Sequence, residues 1–414
     1  MPRHTRLLGI IVAAICTATG GDARAYNEPG HLETIRLVVE RLPSKLYTTE
    51  DKRVIVACSQ LPDMVEELDA ARLYFNAFRD SSFQWLRWAV SDTLGTDALK
   101  RMFAVQQLLH GLTNGDSASM HRVALTVVGR LAAPRGTESP GYSVERFQRL
   151  CASGLSLHLL GDSLAHTQLA WDKEVPGQSM KMYPTGRGHG LSDQHLPDYI
   201  FCSYLAKDGW NGQTSCHEDW TGAAVHQRYK RWRDFWSSEN ALMAGRALSP
   251  DSFSAAEIAE LEQGLRSLKT GTVAGLDNGS YARNDFGAGD AIVAFLSAHS
   301  PRDAALDEIA RTARNADDAV TDSRPHCDVL LLKIAALSGA PAGGAAPKPT
   351  CSAVWQRYSA EAIGSFVAEV CPTSPGKVDA PLPFDVAWKR YYSPCAGNGQ
   401  RDIERFAKLV LPAP

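Results

Sequence analysis

The sequence predicts a globular, mostly α-helical protein with a linker in its second half, and three observations support this organisation. Long stretches are rich in Leu and Ala, with apolar residues at helical spacing and little β-branched alternation. Hydrophobic residues make up 44% and charged residues 21% of the 414 residues, which is the balance of a globular protein. The Ala-, Gly- and Pro-rich stretch 338–349 has the composition of a linker. We expect a helical region at 26–245 and a helical, disulfide-bearing C-terminal region at 246–414.

Apolar periodicity predicts the individual helices. In the first region these are 31–42, 63–78, 97–112, 120–131 and 144–171. In the second half they are 219–246, 254–269, 303–317, 327–338, 352–369 and 401–410. Between Lys173 and Pro197 the chain becomes rich in Gly, Pro and His, which indicates an ordered loop rather than a helix.

The first 25 residues have the pattern of a secretory signal. Arg3 and Arg6 precede an apolar run at 7–15, and residues 23–25 (Ala-Arg-Ala) provide the small residues of a cleavage site. The apolar run is shorter than the ~20 residues that a transmembrane helix needs. We therefore expect a secreted or periplasmic protein that has no transmembrane segment after signal removal. An uncleaved anchor is the alternative.

Cysteine usage agrees with export, because eight of the nine cysteines lie beyond the signal. An even number in an exported chain suggests up to four disulfides. We expect Cys202 to pair with Cys216, and some pairing among the last four cysteines. None of the eight has CxxC spacing, which argues against thiolate zinc and thioredoxin-type chemistry. The net charge of −3 excludes a basic footprint for duplex nucleic acid at the whole-chain level.

The strongest chemical signal is the stretch around His158, Asp162 and His166. These residues are spaced i, i+4 and i+8, so a helix would place them on one face, among apolar neighbours. Burying two imidazoles and a carboxylate is costly unless they are paired or bind a cation. Among common metals, zinc suits this combination best. A buried His–Asp–His hydrogen-bond network is the alternative.

Other residues of suitable type lie elsewhere in the chain. His110 is at the end of an amphipathic helix, and Asp63 follows a proline at a helix start. His189 is in a Gly-His-Gly turn, with Asp193 and Asp198 close behind. Taken singly, such residues are typical of a core or capping histidine, a helix-dipole carboxylate and a solvated turn. Together they extend the inventory of metal ligands.

Signal cleavage would leave Tyr26 as the first residue, with its α-amino group five residues before His31. The spacing Tyr26-x-x-x-Gly30-His31 and the stretch 154–162 (Gly-Leu-Ser-Leu-His-Leu-Leu-Gly-Asp) resemble the zinc-dependent phospholipase C / S1-P1 nuclease superfamily. That family has Trp as the first mature residue and His-x-x-x-Asp on its central helix. The resemblance spans about residues 26–200.

The resemblance implies a multi-helix core that holds up to three zinc ions. The first ion would be held by four side chains, those of Asp63, His110, His158 and Asp162. Asp162 would bridge to a second ion, held also by His31 and by the amine and carbonyl of Tyr26. The third would be held by His166 and His189 together with one carboxylate, for which Asp193 and Asp198 are equal candidates.

The implied function is a phospholipase C-like phosphodiesterase, in which a zinc-bound hydroxide attacks a phosphate ester. Asp63 would orient the nucleophile and accept a proton, while Asp162 would bridge two ions, so these two residues are the catalytic candidates. A lipid headgroup, single-stranded nucleic acid and a small phosphate ester all remain open as substrates. The aromatic and basic stretch 229–237 leaves peripheral membrane contact open.

Three alternatives remain at this stage. An S1/P1-like nuclease or a phosphatase would use the same ligands, although the anionic net charge mildly disfavours strong nucleic-acid binding. A non-catalytic, metal-binding periplasmic protein would use its C-terminal region to contact a partner. A site with an open metal position would favour an enzyme, and a closed ligand set would favour a structural role.

Overall fold

The structure is a computed structural model. It describes residues 44–70, 104–113, 115–132, 142–168, 303–306, 326–340 and 348–370, together with residues 73, 181–182 and 308 and single positions between 32 and 42. These residues are mostly helical, which confirms the predicted fold class. The finer expectation, a phospholipase C/P1 nuclease-like core, remains a prediction.

Six helices and one short strand pair make up the named elements. The helices are α1 (Thr49–Cys58), α2 (Leu61–Met64), α3 (Ser117–Ala132), α4 (Val144–Ala165), α5 (Cys327–Leu337) and α6 (Cys351–Val370). Strands β1 (Thr167–Gln168) and β2 (Lys181–Met182) pair antiparallel, with Thr167 opposite Met182. Residues 104–108 are also helical, as are the described positions between 32 and 40.

The predicted helices 120–131, 327–338 and 352–369 are confirmed as α3, α5 and α6. Two predictions are wrong in part. The helix expected at 63–78 is interrupted in the structure: α2 ends at Met64, because Val65 adopts an extended conformation (φ −110°, ψ 140°), and the described residues 70 and 73 are helical again. The helix expected at 144–171 ends at Ala165, since the chain then enters β1.

Helix α1 has no counterpart among the predicted helices, although its start carries a local signal. The side chain of Thr48 accepts a hydrogen bond from the backbone of Asp51, and the carboxylate of Asp51 accepts one from the backbone of Thr48. This reciprocal arrangement is a capping box, with Asp in the place of the usual Glu. The first half of α1 is charged and only its second half is apolar, so a search based on apolar periodicity overlooks it.

Helix α4 is the centre of the described core and packs against α1, α3 and α6. Its approach to α1 is unusually close at Gly154, where a Cβ atom would lie 2.4 Å from the carbonyl oxygen of Ile55. A disulfide between Cys58 and Cys151 joins the same two helices one turn away. The end of α1 and the residue after it, Ser59, are therefore held against α4.

The C-terminal helices belong to the same core as the helices of the first half. Helix α6 packs against α3 and α4, and α5 packs against α1. The disulfide Cys327–Cys351 joins the starts of α5 and α6, and Asp328 Oδ1 accepts a hydrogen bond from the backbone of Cys351 at 2.7 Å. The domain boundary expected near residue 245 lies outside the described residues and remains a prediction.

The two disulfides bear on the predicted cysteine pairing. Cys327–Cys351 confirms pairing among the last four cysteines, whereas Cys58–Cys151, with a sequence separation of 93, was not expected. Cys202 and Cys216 lie outside the described residues. Disulfides persist in oxidising compartments, so the two bridges are consistent with an extracellular or periplasmic location.

Within the described residues, no helix has the length and apolarity needed to cross a membrane. The predicted signal, 1–25, lies outside them.

Candidate metal centre

Helix α4 contributes His158 and Asp162, which are one turn apart and fully buried. The Nε2 atom of His158 lies 3.1 Å from Oδ2 of Asp162. Both side chains lie in the middle of the core because α4 packs against other helices on several sides. The i, i+4 spacing seen in the sequence therefore brings an imidazole and a carboxylate together out of contact with solvent.

His110 reaches the same point from the turn that follows the helical residues 104–108. Its Nδ1 lies 2.9 Å from Oδ2 of Asp162 and 3.3 Å from Nε2 of His158. Gly111 adopts a left-handed conformation (φ 63°), which allows the chain to turn immediately after His110. A side chain at this glycine would also meet Met182 and Met120 at 3.3 and 3.4 Å.

Asp63 completes the cluster from the short helix α2. Its Oδ1 lies 3.9 Å from Nε2 of His158. The side chain of Asp63 is 16% exposed, whereas those of His158 and Asp162 are 0% and 1% exposed. Asp63 is therefore on the side of the cluster that faces solvent.

Backbone carbonyls fix the orientation of two imidazoles. The Nδ1 atom of His158 lies 3.0 Å from the carbonyl oxygen of Ser59, and the Nε2 atom of His110 lies 3.2 Å from that of Leu68. A carbonyl oxygen can only accept, so these nitrogens carry the proton. In a neutral imidazole the other nitrogen then has a lone pair directed into the cluster, which is the form that binds a metal.

The charges in the cluster are strongly coupled. Burial lowers the pKa of His110, but the hydrogen bond and charge of Asp162, together with the charge of Asp63, outweigh it and raise the pKa to about 9. Burial raises the pKa of Asp162, and the surrounding His166, His158 and His110 outweigh it and lower the pKa well below the usual range. Without a cation, the ionised Asp162 is thus balanced by a proton on His110.

His166 caps the C-terminus of α4 and lies beside the cluster. Its Nδ1 donates a hydrogen bond to the carbonyl oxygen of His110 at 2.6 Å, and lies 3.7 Å from Oδ2 of Asp162. Burial lowers the pKa of His166 to about 4, although the charge of Asp162 opposes this change. His166 therefore remains neutral at physiological pH, in the tautomer protonated at Nδ1.

The structure thus brings together five of the predicted site residues: Asp63, His110, His158, Asp162 and His166. The other five, Tyr26, His31, His189, Asp193 and Asp198, lie outside the described residues, so the second and third zinc sites remain predictions. The contacts from the carbonyls of Ser59 and Leu68 could not be predicted from the sequence, because every residue has a carbonyl. Gly154, which permits the approach of α1 to α4, is the nearest available signal.

Asp63, His110 and His158 could hold a metal ion, since one ligand atom from each lies within 4.8 Å of the others. Tetrahedral zinc with bonds of ~2.0–2.1 Å places neighbouring donor atoms about 3.3 Å apart. The measured separations between donor atoms, including those to Asp162, run from 2.9 to 3.9 Å. Asp63, His110 and His158 therefore form a group that could bind a metal ion, and Asp162 lies against its two histidines.

Comparisons of the chain with protein-family models, with curated proteins and with solved structures found no match. The fold and the site together define a mostly helical, disulfide-bonded protein with a buried His/Asp cluster that could bind a metal ion.

Proposed function

We propose that the protein is a zinc-dependent phosphoric ester hydrolase, acting as a phospholipase C-like phosphodiesterase. The observation that supports this best is the convergence of His110, His158, Asp162 and Asp63, with donor separations of 2.9–3.9 Å. The sequence resemblance implies this same set as the ligands of the first zinc ion. We further propose that the protein acts in the periplasm or outside the cell.

Zinc is the favoured metal because the donors are two imidazole nitrogens and two carboxylates. Calcium and magnesium prefer ligand sets made entirely of oxygen. Zinc binds His nitrogen and Asp oxygen readily in four-coordinate sites. The imidazoles of His158 and His110 already present nitrogen atoms to the cluster, because backbone carbonyls hold their other nitrogens.

When bound, zinc would supply a hydroxide nucleophile at neutral pH and polarise the phosphoryl group. The residues of the chain have separate tasks. Asp162 keeps its negative charge at the buried base of the site. Asp63, the more exposed carboxylate, orients the water and accepts a proton. Helix α1 packs against α4, and the carbonyl of Ser59 after α1 holds the imidazole of His158.

The substrate class follows from charge and from the resemblance. A net charge of −3 disfavours strong binding of nucleic acid, so we place a lipid headgroup diester ahead of single-stranded nucleic acid or a phosphomonoester.

One observation favours a non-catalytic metal site instead. The side chains of His110, His158 and Asp162 are at most 4% exposed, which is the degree of enclosure expected of a structural centre.

The test combines metal analysis with a panel of substrates on the full-length, correctly processed protein. Asp162→Asn removes the charge at nearly constant volume and should abolish both bound zinc and hydrolysis. Asp303→Asn is the matched control, because Asp303 pairs with Arg53 at 2.5 Å and is not a member of the cluster. The panel contains a chromogenic phosphocholine diester, a phosphomonoester and single-stranded DNA.

The proposal would be supported if the wild-type protein contains zinc and hydrolyses the phosphocholine diester. Both properties should be lost in Asp162→Asn and retained in Asp303→Asn. Zinc without hydrolysis of any substrate would replace it with the non-catalytic metal-binding role. A folded wild-type protein that binds no divalent metal would refute both, and would leave a buried His–Asp–His network.

A further inference from the structure

Helix α6 contributes a buried hydroxyl group to the turn that carries His110. Tyr358 is fully buried, and its hydroxyl donates a hydrogen bond to the carbonyl oxygen of Leu108. Leu108 precedes His110 by two residues, whereas Tyr358 is 250 residues away in sequence. A residue of the C-terminal region therefore contacts the backbone next to a candidate metal ligand.

The carbonyl of Leu108 is at the end of the helical residues 104–108, where carbonyl groups lose their helical donors. In a continuing α-helix, the backbone amide of Leu112 would donate to Leu108. That amide instead donates to the carbonyl of Gln106 at 2.8 Å. Gly111, with its positive φ, turns the chain away at this point. The hydroxyl of Tyr358 takes the place of the missing helical donor.

The turn is held from its other side by α4. The carbonyl oxygen of His110 accepts a hydrogen bond from Nδ1 of His166 at 2.6 Å. Two consecutive supports, one from α6 and one from α4, thus fix the backbone of residues 108–110. Burial and the negative charge of Asp162 raise the pKa of Tyr358 well above 10, so its hydroxyl remains a donor at any physiological pH.

Helix α6 is itself held firmly in place. The disulfide Cys327–Cys351 and the hydrogen bond from the backbone of Cys351 to Asp328 fix its first turn. Trp355 is also buried and lies beside Tyr358, with ring centroids 5.7 Å apart. Because α6 packs against both α3 and α4, the hydroxyl of Tyr358 is presented from a rigid surface.

We propose that Tyr358 is a positioning residue for the metal ligand His110, and that α6 is therefore an integral part of the metal centre. This inference rests on the metal-binding part of the proposed function, and does not depend on hydrolysis. Residues that orient a ligand from outside the coordination sphere are worth about 10–100-fold in metal affinity. Since Tyr358 acts through a backbone carbonyl, we expect the lower end of that range.

The test is Tyr358→Phe, which removes one oxygen atom and keeps the ring. The matched control is Tyr47→Phe, because the buried hydroxyl of Tyr47 also donates to a backbone carbonyl, that of Ala132 at the end of α3. Tyr47 precedes α1, at the opposite end of that helix from Ser59. Zinc affinity is measured by competition with a chelator, and geometry by the visible spectrum after replacement of zinc by Co²⁺. The ¹⁵N shifts of the His110 imidazole are recorded in metal-free, full-length protein.

Tyr358→Phe should weaken zinc binding about tenfold, alter the Co²⁺ spectrum and move the His110 resonances. Tyr47→Phe should change none of these, although both variants lower the melting temperature. If Tyr358→Phe has the same zinc affinity, Co²⁺ spectrum and His110 resonances as the wild type, the role of Tyr358 is merely structural and the inference is overturned. This holds even if the wild-type protein hydrolyses its substrate. Tenfold weaker zinc binding in an inactive protein would uphold the inference while the proposed activity fails. A wild-type protein without metal affinity would overturn both.

Discussion

Replacing Gly154 with alanine is predicted to destabilise the protein and loosen the metal site, although alanine is the better helix former. A Cβ atom at residue 154 would lie 2.4 Å from the carbonyl oxygen of Ile55, and 2.9 Å from both Cβ of Cys58 and the backbone nitrogen of Ser59. Ordinary contacts begin at 3.4 Å, so α1 would have to retreat by about 1 Å. The Cys58–Cys151 disulfide opposes that movement.

The magnitude follows from two opposing contributions. Overpacking of a core against backbone atoms costs up to about 3 kcal/mol, and the Gly-to-Ala change in helix propensity returns about 1 kcal/mol. We therefore expect the free energy of unfolding to fall by about 2 kcal/mol. Because Ser59 moves with α1, its carbonyl also shifts away from Nδ1 of His158, and metal affinity falls.

The assay is urea-induced unfolding of the oxidised protein, together with zinc affinity measured by chelator competition. Gly364→Ala in α6 is the matched control, since the nearest atom to its new Cβ would be an Arg130 nitrogen at 3.9 Å. That variant should gain roughly 0.4–1 kcal/mol. A Gly154→Ala protein at least as stable as the wild type would refute the packing argument.

Three further predictions concern other parts of the structure. Removing the Cys58–Cys151 disulfide by double substitution with Ala should lower the free energy of unfolding by about 4 kcal/mol, because the bridge closes a loop with a sequence separation of 93. An unchanged midpoint of urea unfolding would contradict this prediction. In chelator-treated protein, the pKa of His110 is raised from 6.5 to about 9, so the contribution of His110 to stability is complete below pH 6.5 and is lost as the pH rises through 9. Urea unfolding between these pH values should show the loss of stability, and His110→Asn should abolish this pH dependence. Arg146→Ala should lower the free energy of unfolding by about 3 kcal/mol, because Arg146 pairs with the buried Asp51 at 2.6 Å and its removal leaves that carboxylate without a counter-ion. Thermal or urea unfolding measures the change, and a loss below about 1 kcal/mol would show that water replaces the guanidinium.

The sequence predicts the features that depend on neighbouring residues. The apolar surroundings and i, i+4 spacing of His158 and Asp162 identify a buried, chemically unusual helix before its structure is known. Asp63 and His110 are candidates by residue type, their assignment to the same site comes from the family resemblance, and the structure places both near His158. Helix α3 is similarly evident from its apolar periodicity alone.

Features that depend on contacts distant in sequence could not be predicted. The Cys58–Cys151 pairing joins residues 93 apart, and nothing local distinguishes it from the alternatives. The end of α4 is set by tertiary interactions, because His166 leaves the helix (φ −85°, ψ 35°) and bonds to the carbonyl of His110 while the chain enters β1. The support from Tyr358 is also invisible locally, since a tyrosine in an amphipathic helix is usually no more than a core residue.

The sequence separation of 250 between Leu108 and Tyr358 determines when during the life of the chain the proposed metal centre can be completed. A polypeptide still being synthesised carries Asp63, His110, His158 and Asp162 long before α6 exists. Contacts of such long sequence separation form late in folding, because closing a long loop costs entropy before any contact offsets it. The proposed full-affinity centre would therefore form only after α6 has been synthesised and the α5–α6 disulfide has closed. If the protein is exported and binds a metal as proposed, the metal supply of the destination compartment would then decide which ion is bound.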